Sequence, residues 1–135
     1  MISLFAGYSW WALLGLRVFV GIIFFAHGTP KIKNLKQTAQ NFEMMGFKPG
    51  NLWGPFIAIL EFFGGILLIL GWFTQLLALL FAVEMLVATF WKIKSGQKLI
   101  DGFELDFLLV LSCLILLTSG AGYYAFDNYW PIKLY

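Results

Sequence analysis

WGPFIAILEFFGGILLILGWF, residues 53–73, is an apolar run of helical length with one ionisable residue, Glu61, near its middle. At 1.5 Å rise per residue it is about 31 Å long, enough to cross the hydrocarbon of a bilayer. A carboxylate halfway along such a run is costly in lipid and must face other helices or a wet cavity. Gly54, Ala58, Glu61 and Gly65 follow a 4, 3, 4 spacing, so three small residues and the glutamate share one face. That face predicts close packing against a neighbouring helix.

Three further segments read the same way, at residues 10–27, 76–91 and 103–120. The third span in chain order, 76–91, is short, and Trp72 and Lys92 extend it towards the two interfaces. Residues 1–11 hold no basic side chain and Arg17 interrupts the apolar region, which predicts a retained helix rather than a cleaved signal peptide. With 61% hydrophobic, 19% aromatic and 12% charged residues, the 135-residue chain has more apolar surface than one water-soluble core can hide. The expected fold is all-α, a four-helix integral membrane bundle formed by a single domain over residues 1–135.

The long connection between the first two spans, residues 28–52, places Leu35, Ala39, Phe42 and Met45 at helical spacing, with Lys36, Gln40 and Glu43 on other faces. A short interfacial helix ended at Gly46 is expected, its basic start against anionic headgroups. Lys31, Lys33, Lys36, Lys48, Lys92, Lys94 and Lys98 fall in or beside the first and third connections, against Lys133 and the amino terminus on the other side. The positive-inside rule then makes those two connections cytoplasmic and both termini external. The net charge of +2 is accounted for by this topology, and no nucleic-acid-binding pattern accompanies it.

Arg17, Glu61 and Glu84 each sit near the middle of a span, and one cation with two carboxylates forms a plausible buried cluster able to handle a proton. Its alternative is a polar clasp that fixes helix register. Counted from the cytoplasmic ends, both glutamates lie about 12 Å inside and Arg17 slightly deeper, within reach. His27, the only histidine, ends the first span, with Pro30 expected to bar a regular continuation. His27 either titrates at a substrate headgroup or serves a helix-end hydrogen bond, while Lys31 and Glu104 are the expected substrate-binding residues at this end. Asp106 is read as an acidic helix start that complements the dipole. Cys113 stands alone, so dithiol chemistry within the chain is excluded, and neither haem nor a metal site is expected.

The order Arg17, His27-Gly28-x-x-Lys31, Gly54-Pro55, Glu61-x-x-Gly64-Gly65 and Gly71 resembles the DoxX family. The closing turn Gly120 to Asp127 and the segment Phe42 to Gly46 are also similar, with Ala125 standing where the family more often has serine. The resemblance implies a small protein of a bacterial or archaeal cytoplasmic (inner) membrane with a redox leaning. On that basis the leading expectation is a membrane subunit of an oxidoreductase, exchanging electrons with a quinone. Arg17, His27, Glu61 and Glu84 would then bind its carbonyls and move protons. An anchor that recruits a soluble redox enzyme through its basic loops is a second reading, and a proton-coupled transporter of a small solute a third. Expected partners are the lipid bilayer, a redox subunit and, through the glycine-lined faces, a second copy of the chain.

Overall fold

The computed structural model describes residues 4–130; Lys133 and the amino-terminal end of the charge argument lie outside the described residues. Among the described residues the chain is all-α, without a strand. A short 3₁₀ turn, Ala6–Tyr8, leads into α1 (Ser9–Lys33), followed by α2 (Leu35–Met44), α3 (Gly50–Leu70), α4 (Thr74–Lys94), α5 (Glu104–Ser119) and the single turn α6 (Phe126–Tyr129). Three helices are long and apolar enough to cross a membrane: α1 with its leading turn, α3 and α4. This is the make-up of a helical membrane bundle. The fourth segment is shorter than its apolar run suggests: α5 has 16 residues, about 24 Å. It is trimmed at its start by the turn Leu99–Phe103, where Asp101 adopts φ +58°, and at its end by Gly120 at φ +82°.

Two compact units divide the chain, residues 18–70 and residues 1–17 with 71–135, and α1 runs through the boundary. In the first unit the later part of α1 packs antiparallel on α3 through glycines. A Cβ on Gly21 would lie 2.8 Å from the Gly65 carbonyl oxygen, and one on Gly65 would lie 2.6 Å from the Phe25 nitrogen. Gly28 meets the backbone of Glu61 and Phe62 in the same way. The face predicted from the 4, 3, 4 spacing is the packed one, with Gly54, Ala58, Glu61 and Gly65 all buried. α2 covers the first turns of α3, where Gly54 lies against the backbone of Ala39.

The first helix departs from expectation. It does not stop at His27 but continues through Pro30 to Lys33. Proline removes one backbone donor near the end of the helix, and the last turn is held from outside instead. The Thr38 hydroxyl donates to the Lys31 and Asn34 carbonyls at 3.0 Å each, and the Asn34 side chain caps α2 by accepting from the Gln37 N–H at 3.2 Å. As expected, α2 terminates before Gly46, which adopts φ +93°.

In the second unit α4 packs along α5. The Asp127 carboxylate caps α4 by accepting from the Phe73 and Thr74 N–H groups at 2.8 Å each, while the Asp127 N–H donates to Gly71 at 2.9 Å. Trp10 and Trp11 rest on Tyr123, their ring centroids 5.8 and 5.7 Å away.

A Gly28→Ala protein should lose about 2 kcal/mol of stability or more, because the methyl group must enter backbone and force α1 from α3. Gly15→Ala, with nothing within 4 Å of the new Cβ, should be neutral or slightly stabilising. Denaturant titration in mixed micelles compares the two.

Candidate functional site

The charged residues of the spans are resolved into separate arrangements. Glu61 is 1% exposed and its carboxylate is held by Lys31: Nζ lies 2.7 Å from Oε1 and 2.7 Å from Oε2. The extra helical turns of α1 beyond His27 carry Lys31 to the level of Glu61, and the Gly28 contact brings the two helices close enough for the ammonium to reach. The Lys31 side chain remains 31% exposed. One end of the pair is therefore sealed between helices and the other is open. A buried carboxylate left unpaired costs several kcal/mol, and Lys31 supplies its counter-ion.

Arg17 is buried, at 1% exposure, as its place in a span predicts, but its hydrogen bonds go to backbone carbonyls. Nη1 donates to Ala121 at 2.6 Å and Tyr123 at 3.3 Å, and Nη2 to Tyr124 at 3.1 Å. Arg17 thus clamps the closing turn, and Glu61 pairs with Lys31. Glu84 lies half-buried on α4. Gly71 and Ala125 pack beside the guanidinium, where a Cβ on Gly71 would lie 2.6 Å from Nη1.

The two acidic residues in the first turn of α5, Glu104 and Asp106, have different surroundings. Asp106, read as a simple dipole partner, is buried and paired with Lys92 at 2.6 Å. Glu104, expected to meet substrate near His27, is exposed, and its Oε1 accepts from the Asp101 N–H at 3.3 Å. Two residues apart on a helix point about 200° apart, so only one of them can face α4. His27 is exposed on α1. Cys113 is buried within α5 and unpaired with any other cysteine. No group of three or more metal-ligating side chains is found among the described residues.

Of the arrangements described, the Lys31–Glu61 pair has the chemistry of a site. Lysine carries three N–H donors; Glu61 Oε1 accepts one of them while Oε2 stands beside the ammonium as an ion-pair partner, and the exposed face has capacity for an acceptor on a ligand. A carboxylate directly behind that donor stabilises its protonated form. Lys92 and Asp106 repeat the pattern at 28% and 8% side-chain exposure, but Lys92 also leans on the Gly102 carbonyl at 3.4 Å, tying it to the turn before α5.

A Bacillus subtilis (strain 168) protein carrying the name Putative oxidoreductase CatD is 32% identical over 114 residues, covering 84% of this chain and 83% of its own. A Haemophilus influenzae (strain ATCC 51907 / DSM 11121 / KW20 / Rd) protein named only as uncharacterized is 34% identical over 123 residues, covering 84% of this chain and 86% of its own. No solved structure matches the chain at a significant level. The DoxX family model matches residues 12–92, a stretch that includes Arg17, Lys31, Glu61 and Glu84, and the chain belongs to the DoxX family.

Proposed function

We propose that this protein is the membrane subunit of an oxidoreductase and that it presents the Lys31–Glu61 pair to a quinone. The observation that carries the reading is the pair itself, a fully buried carboxylate bound to a partly exposed ammonium between two apolar helices. Family membership and a relative named as an oxidoreductase support the redox class. A quinone supplies two-electron redox chemistry and takes up two protons on full reduction. The side chains here supply the protonic part: Lys31 passes a proton to an oxygen acceptor and regains one from water at its exposed face, while the Glu61 carboxylate stabilises the ammonium. Electrons enter from a partner subunit, since a single cysteine gives the chain no dithiol. Both termini are placed outside a cytoplasmic membrane and the lysine-rich connections inside, which puts the exposed end of Lys31 towards the cytoplasmic leaflet.

The residues fit a quinone headgroup on one structural test, that the Lys31 ammonium is accessible while its counter-ion is not. Labelling with a photoreactive quinone in native membranes, followed by peptide mapping, should mark peptides that contain Lys31 or Glu61. Label confined to α5 or to the closing turn would overturn the assignment.

A further inference from the structure

A second built feature lies on the residue 18–70 unit, in the groove between α2 and the start of α3. Its volume is about 710 Å³, and its walls include Leu35, Lys36, Ala39, Met44, Asn51 and Pro55. We propose that this groove seats an anionic phospholipid of the surrounding bilayer, with the phosphate at Lys36 and an acyl chain along Leu35, Ala39, Met44 and Pro55. This binding is independent of the quinone reading.

Depth, charge and shape each favour a lipid. α3 is a candidate membrane span that begins at Gly50, and its exposed apolar belt starts with Leu52 and Trp53, a residue type that settles at headgroup level. The groove beside these residues therefore opens where the phosphates lie. Lys36, which borders the groove, is exposed. Glu43, the carboxylate that also borders the groove, is turned to the start of α3, where its Oε2 accepts from the Gly50 N–H at 2.6 Å. Local charge is thus set by lysine. Met44 is 77% exposed and Leu35 39%, so apolar surface continues from the groove onto the outer face of α2. Lipid covers such a surface at this depth, whereas an acidic soluble protein would have to reach beneath the headgroups.

Native mass spectrometry of the purified full chain with phosphatidylglycerol or phosphatidylcholine of identical acyl chains tests the proposal. A lysine near the headgroups contributes about a fivefold preference, so wild type should retain phosphatidylglycerol about fivefold better through Lys36. Lys36→Gln, at an exposed position, should lower that preference about fivefold. Met44→Trp leaves every lysine in place and fills the groove; retention should fall although helix content is unchanged. Equal retention of the two lipids by wild type overturns the proposal. So does full retention by Met44→Trp, which would reduce the effect to a general attraction to basic surface, and so does a co-purifying polypeptide that occupies the groove instead.

Discussion

Arg17→Met is expected to cost about 3 kcal/mol or more and to release the closing turn. Methionine preserves the length and apolar stem of the side chain, and the loss falls on the carbonyls of Ala121, Tyr123 and Tyr124, whose donors disappear together. A buried carbonyl left unpaired costs about 1–3 kcal/mol, and the guanidinium bonds are charge-assisted. The turn has reserves: Gly122 and Tyr124 hold φ +74° and +52°, the Asn128 amide donates to Gly122 at 2.9 Å, and Asp127 remains on the start of α4. Unfolding should thus begin as local release, read as new proteolytic cleavage after Gly120, with a lowered midpoint in mixed micelles. Arg17→Lys should recover only part of the loss, because one ammonium cannot span carbonyls that a planar fork reaches with two nitrogens. An Arg17→Met protein as stable as wild type but inactive would make this residue catalytic and contradict the clamp.

Much of this architecture is legible in the sequence, and what is not has physical causes. Apolar runs reveal spans because length and hydropathy suffice for them, and the stripe of Gly54, Ala58 and Gly65 around Glu61 announces a packed face because small residues have no other use at that spacing. α2 and its end before Gly46 follow from periodicity and a left-handed glycine. The pairing of charges does not follow. Arg17 satisfies itself on backbone carbonyls about a hundred residues later, and carbonyls carry no sequence signal. Lys31 meets Glu61 only because α1 outlasts Pro30, and the support for that turn comes from the Thr38 hydroxyl and the Gly28 contact, both tertiary. Asp106 lies in the first turn of α5 as its sequence position predicts, but its pairing with Lys92 depends on how α5 is rotated against α4, which composition leaves open. Asp127 was visible as part of a resembling motif, but its work as the cap of α4 appears only when residues 73 and 127 are brought together.

Glu61→Gln tests what the Lys31 pair is for. The amide is nearly isosteric and keeps an oxygen to accept from Lys31, so helix packing around Gly28 should survive and the protein should insert and fold. What it loses is the negative charge that stabilises the Lys31 ammonium as a proton donor. General acid–base catalysis by a positioned side chain contributes about 10²–10⁴-fold, and turnover should fall by that factor. Lys31→Met should be equally inactive and also less stable, since it strands a buried carboxylate; breaking such a pair costs about 3–5 kcal/mol when both members are buried, and less here with Lys31 partly exposed. The decisive measurement is therefore the rate of quinone reduction per folded protein, in native membranes where the wild-type chain has been replaced by Glu61→Gln. A fall of 10²-fold or more at unchanged membrane content is the predicted result; a rate equal to wild type from a well-folded variant would contradict the account.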